Sequence, residues 1–131
     1  MKLSNINYPD YYTPYAKLIV MDIDDTISFA DTYSDPEIYS EARPNEPILE
    51  TMRKLDKEGY SFILFTSRGM ISCNGNIEQA DNKYRKQIET WLAKYEVPYK
   101  ELIFGKPYGI LYVDDKAMTP DKFIETFRQE A

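Results

Sequence analysis

A three-layer α/β sandwich with a mainly parallel sheet is the fold this sequence predicts, on three observations. Short apolar runs of strand length alternate with stretches of helical period. Each apolar run ends in a polar side chain able to bind a phosphate or a metal, the place where ligands sit in such sheets. The chain has 131 residues, enough for one core and too few for a second large domain. The expectation is therefore one domain over residues 1–131, without a large cap.

The elements follow in order. Residues 17–22 form the first strand, whose apolar part is Leu18-Ile19-Val20-Met21. Asn45 is placed to cap a helix that opens with Glu46 and Pro47, early positions that tolerate an acid and a proline. Ile48, Leu49, Met52 and Leu55 carry its apolar face, and Gly59 suits a left-handed stop. A second strand covers 60–66. Ile77, Ala80, Tyr84, Ile88, Trp91, Leu92 and Tyr95 recur every three or four residues, the period of an amphipathic helix. Strands near 101–104 and 110–114 come next, then Thr119-Pro120-Asp121 starts a last helix bearing Phe123, Ile124 and Phe127. Two segments remain: 27–44, with Phe29, Tyr33, Pro36 and Tyr39, reads as a flap, and the polar stretch 69–82 as a rim loop. The start, with Tyr8, Tyr11, Tyr12 and Tyr15 among Pro9 and Pro14, reads as a strand or loop packed on the body, or as an oligomer arm.

Composition narrows the chemistry. With no histidine, the Cys/His and Ser/His nucleophile pairs are excluded, and the one cysteine, Cys73, lies in a polar loop and forms no internal disulfide. A net charge of -6 disfavours an extended basic face for nucleic acid. No run approaches the ~20 apolar residues of a membrane span and no signal sequence opens the chain, so a cytoplasmic protein with no membrane partner is expected.

Carboxylate chemistry is what remains. Asp22, Asp24, Asp25 and Thr26 follow the first strand, and close carboxylates repel unless a cation or proton is shared. One carboxylate attacking, a second moving a proton and a hydroxyl steadying the loop suits phosphoryl transfer; an acidic loop that only caps a turn is the plainer reading. Further along, Thr66-Ser67-Arg68 ends the second strand, Lys106 follows Leu102-Ile103-Phe104-Gly105, and Asp114-Asp115 closes Ile110-Leu111-Tyr112-Val113. Four such endings in one chain favour a site over decoration.

In this order, Asp22-Ile-Asp24-Asp-Thr26, Thr66, Lys106 and Asp114-Asp115 resemble the four motifs of the haloacid dehalogenase-like phosphatase superfamily, over about nine tenths of the chain. Phe65-Thr66-Ser67-Arg68, Val97-Pro98-Tyr99, Gly105-Lys106-Pro107 and Val113-Asp114-Asp115-Lys116-Ala117 are similar to phrases in small capless phosphatases of capsule and lipopolysaccharide biosynthesis clusters. Asp25 departs from the pattern by replacing a frequent glycine.

The resemblance implies a Rossmann-like fold and a magnesium-dependent phosphomonoesterase acting on a small phosphorylated sugar or polyol. Asp22 would be the nucleophile and Asp24 the acid and base. Thr66, Ser67, Arg68 and Lys106 would bind the phosphate side of the substrate. Asp22, Asp24 and Asp114 would hold Mg2+, with Asp115 either an outer ligand or the partner of Lys106. A site without a large cap would be covered by a second copy of the chain or would accept bulky substrates. Two other readings stay open: a nucleotide or polynucleotide 3'-phosphatase, which the Ser67-Arg68 turn and Lys83-Tyr84-Arg85 also resemble, and a phosphate-accepting receiver-like module.

Overall fold

Strand ends and helix faces are placed by a computed structural model that describes residues 14–30 and 42–128. Strands β1 (Leu18–Met21), β4 (Ser61–Thr66) and β5 (Glu101–Phe104) make a parallel sheet in the order β1-β4-β5. Val20 is in register with Ile63, and Leu64 with both Met21 and Leu102. Two further strands, β2 (Ser28–Phe29) and β3 (Arg43–Pro44), pair antiparallel and form the base of the 27–44 segment. The rest of the expected flap, with Tyr33, Pro36 and Tyr39, lies outside the described residues, as do Tyr8, Tyr11 and Tyr12. Tyr15, which is described, is exposed.

Among the described residues, three helices complete the Rossmann-like α/β architecture: α1 (Glu46–Lys57), α2 (Ile77–Lys94) and α3 (Pro120–Phe127). Helix α1 buries Ile48, Leu49, Thr51, Met52 and Leu55 and stops where expected, with Gly59 at φ +94°. Helix α2 starts on Asn76, whose side chain accepts the Gln79 N–H at 3.0 Å, and α3 starts on Thr119, which accepts the Lys122 N–H at 3.2 Å. Starting α2 at Ile77 corrects the rim loop, which ends at residue 76 and not at 82.

One core joins the sheet to these helices. Trp91, Tyr84, Phe62 and Phe127 are its largest fully buried side chains. The indole N–H of Trp91 donates to the Ala42 carbonyl at 2.9 Å, so the polar atom of a buried ring is satisfied and the return arm of the flap is fastened to α2. The two sheet faces are unequally covered among the described residues. Met21, Phe62, Leu64, Leu102 and Phe104 are buried on one face, whereas Ile63, Phe65 and Ile103 on the other are only partly buried and Val20 is 59% exposed. Cys73 lies in a loop, as expected, and is buried against the core.

One expected strand does not form. Residues 110–114 adopt no regular structure; Leu111 is 74% and Val113 91% exposed, and among the described residues β1 stays at the edge of its sheet. An apolar run of four satisfies the strand pattern equally well whether or not its backbone finds a neighbour, and here the loop after Lys106 is folded on itself instead. Tyr112 donates its hydroxyl to the Pro107 carbonyl at 2.6 Å and accepts the Gly109 N–H at 3.2 Å.

Candidate active site

Three strand ends meet because β4 lies between β1 and β5. Asp22 comes directly after β1, Thr66 is the last residue of β4, and Lys106 stands two residues beyond β5. From β5 to β1 is two strand spacings, roughly 9.5 Å, which a lysine stem can cross. It does so: Lys106 Nζ lies 3.3 Å from Asp22 Oδ1, both side chains being largely shielded from solvent. The Lys106 N–H also donates to the Thr66 carbonyl at 3.1 Å, tying together the loops that leave β4 and β5.

The other oxygen of Asp22 is held locally. Thr26 Oγ1 donates to Asp22 Oδ2 at 3.2 Å, so both carboxylate oxygens are oriented before any ligand arrives. The turn that brings Thr26 back is built on the Ile23 carbonyl, which accepts the N–H groups of Thr26, Ile27 and Ser28 at 3.0, 2.8 and 3.2 Å. Its bend needs a left-handed residue, and Asp25 supplies it at φ 64°, a conformation glycine and the short polar residues adopt at least cost. Asn45 secures the same turn: its side-chain amide donates to the Thr26 carbonyl at 2.9 Å and makes no capping bond to α1. The side chain of the expected cap is therefore a brace for the loop.

Asp24 points inward. Its pKa is raised to about 7, first because burial penalises the carboxylate and further by Asp22 and Asp25, against the opposing pull of Arg68. Among the described residues its Oδ1 is buried without a hydrogen-bond partner. An orphaned buried carboxylate oxygen of this kind calls for a proton or a cation.

Thr66 is buried, and its hydroxyl accepts the Arg68 N–H at 3.0 Å, which turns its own O–H away from that amide. Ser67 is partly buried and its carbonyl accepts the Met70 N–H. Arg68 is 3% exposed, with its guanidinium carbon 4.9 Å from the Tyr84 ring centroid. Gly69 allows this packing: at φ +83°, a Cβ there would lie 2.7 Å from Ala80 Cβ and 2.9 Å from Tyr84 Cε2. Gly69→Ala is expected to destabilise the fold by about 2–4 kcal/mol through backbone strain and overpacking, read by chemical denaturation.

The last motif is not brought in. Asp114 is exposed, and its Oδ1 accepts the Lys116 N–H at 2.8 Å. Asp115 pairs with Lys116 Nζ at 3.0 Å, a contact that lowers its pKa, and it is Asp22, not Asp115, that holds Lys106. Both displacements follow from the missing strand over 110–114. Among the described residues no group of three acidic, cysteine or histidine side chains could hold a metal ion. Magnesium prefers hard oxygens and keeps several waters, and the Asp22 carboxylate and the Asp24 carbonyl and carboxyl fit that preference as far as they go. The third carboxylate is not supplied.

Sequence reasoning identified the Asp22, Thr66 and Lys106 convergence and missed the bracing by Asn45 and the depth of Arg68. The one sequence signal for the second was an arginine two residues beyond a strand that buries alternate side chains.

No protein-family model matches the chain, and no curated protein matches it. A Vibrio cholerae structural-genomics target of known crystal structure is similar, with a TM-score of 0.75 and 31% identity over 82% of this chain and 87% of that one. A chain of the Pnkp1/Rnl/Hen1 complex is similar in fold alone, with a TM-score of 0.53 and 23% identity over 84% of this chain and 34% of that one. This chain thus spans about a third of that partner-bearing protein. No described helix is long and apolar enough to cross a membrane.

Proposed function

The chain belongs to the family of the Vibrio cholerae structural-genomics target, and on that footing we propose that it is a phosphomonoesterase of the haloacid dehalogenase-like superfamily, dependent on Mg2+. The observation that carries the reading is the Asp22 carboxylate, held by Lys106 on one oxygen and Thr26 on the other at the mouth of a parallel sheet. A nucleophile for in-line attack needs this fixed orientation. Asp22 attacks the phosphorus and carries a transient phosphoryl group. Asp24, protonated near neutrality, gives its proton to the leaving oxygen and then takes one from the attacking water. Thr66 and Lys106 stabilise charge on the non-bridging oxygens. Asp22 and the Asp24 carbonyl would hold magnesium, whose contribution when bound is to let an anionic carboxylate approach an anionic phosphate. Arg68 acts as a counter-charge to Asp24 beneath the same strand ends.

The substrate class in this reading is a small phosphorylated sugar or polyol; cytoplasmic surface-polysaccharide synthesis is the setting the sequence phrases suggest. A panel of sugar, polyol and nucleotide phosphates and 3'-phosphorylated oligonucleotides, assayed with magnesium, tests it. Turnover of the sugar or polyol phosphates is the expected result. Selective turnover of the oligonucleotides would move the assignment to nucleic-acid end processing, and a single stable phosphorylation without turnover would make the chain a receiver.

A further inference from the structure

Resting on that phosphatase reading, we infer that Tyr112 is a positioning residue for Lys106. The Lys106 ammonium is bounded on two sides, by Asp22 Oδ1 at 3.3 Å and by the Tyr112 ring, whose centroid is 4.5 Å from Nζ. A cation over an aromatic face is attracted to it, and a flexible four-carbon stem gains definition from a second contact that a carboxylate alone does not give. The ring is itself anchored. Its hydroxyl donates to the Pro107 carbonyl at 2.6 Å and accepts the Gly109 N–H at 3.2 Å, closing the loop that leaves Lys106 and returning the ring to the lysine that starts it.

The neighbours of Tyr112 sharpen the point. Ile110, Leu111 and Val113 are largely or fully exposed, whereas Tyr112 is 49% exposed and has its ring beneath the lysine ammonium. Within this apolar run, the side chain that turns inward is the one with both a π face for the ammonium and a hydroxyl for the loop. Tyr112 therefore sets where Lys106 sits relative to Asp22 without itself reaching the reacting phosphorus.

Two measurements test this together. In NMR spectra, the ε-methylene protons of Lys106, assigned by their loss in Lys106→Met, are expected to be shifted upfield by the ring, to keep that shift in Tyr112→Phe and to lose it in Tyr112→Leu. In kinetics, Tyr112→Leu is expected to lower kcat/KM about tenfold in the wild-type background and less than about twofold in the Lys106→Met background, while Tyr112→Phe loses about threefold or less. An absent ring shift, or equal losses in both backgrounds, overturns the inference and leaves the phosphatase reading intact. A present ring shift in a protein that hydrolyses no phosphate ester overturns the phosphatase reading and, with it, the role of Tyr112 in catalysis.

Discussion

Asp22→Asn is expected to reduce phosphatase turnover by about three to six orders of magnitude while leaving the fold unchanged. An amide presents no anionic oxygen to phosphorus, so covalent catalysis stops at its first step. Folding should survive because Asp22 is partly exposed at a strand end, and because Asn keeps an oxygen for the Thr26 hydroxyl. What the substitution removes from the folded protein is one half of a partly shielded ion pair with Lys106, worth on the order of 1 kcal/mol. Steady-state rates and thermal melting measured on the same preparations separate the two effects. A variant that turns over substrate as fast as the wild type would remove Asp22 as nucleophile.

Asp24→Asn is the second large effect, and it should appear in both rate and stability. Loss of a general acid and base costs about 10²–10⁴-fold. The loss should be smaller in the first step with an activated leaving group, which departs without a proton, so product release from such an ester should show a burst followed by slow dephosphorylation. The stability effect follows from the raised pKa. Unfolded, the carboxyl titrates near 3.8; folded, near 7. The unfolded state therefore gives up its proton first, and the contribution of this group is fully present below the lower value and lost as pH rises through the higher one. For the metal-free protein this is a loss on the order of a few kcal/mol between pH 4 and 7, about 1.4 kcal/mol for each unit of separation. Plotted against pH, the stability of Asp24→Asn should lack this decline. Parallel curves for the two proteins would show that Asp24 is not held protonated by its surroundings.

Much of this site was legible because strand ends are legible. Leu18–Met21, Ser61–Thr66 and Glu101–Phe104 are apolar runs of strand length, and a parallel order brings their carboxyl ends, with Asp22, Thr66 and Lys106, to one edge of the sheet. Helix faces were equally readable, since Ile48, Leu49, Met52 and Leu55, and Tyr84, Ile88, Trp91 and Leu92, repeat at helical spacing and are buried. The segment 110–114 was not, because four apolar residues fix neither a neighbour nor a register. Its failure to pair leaves Asp114 and Asp115 in solvent, and the metal ligand set is one carboxylate short. Asn45 was read as a cap since position alone cannot say whether an amide bonds its own helix or a carbonyl distant in sequence, here that of Thr26. Burial of Arg68 and Cys73 depends on the close approach permitted at Gly69 and on the turns around it, which no periodic pattern encodes.

Mapping the phosphoryl group after acid quench is the most direct check on the central claim, that Asp22 forms a covalent intermediate. During turnover of any active ester, the peptide containing Asp22 should gain the mass of one phosphoryl group, and the adduct should be absent from Asp22→Asn. Rapid turnover with no adduct on that peptide, or an adduct carried by another residue, would contradict it.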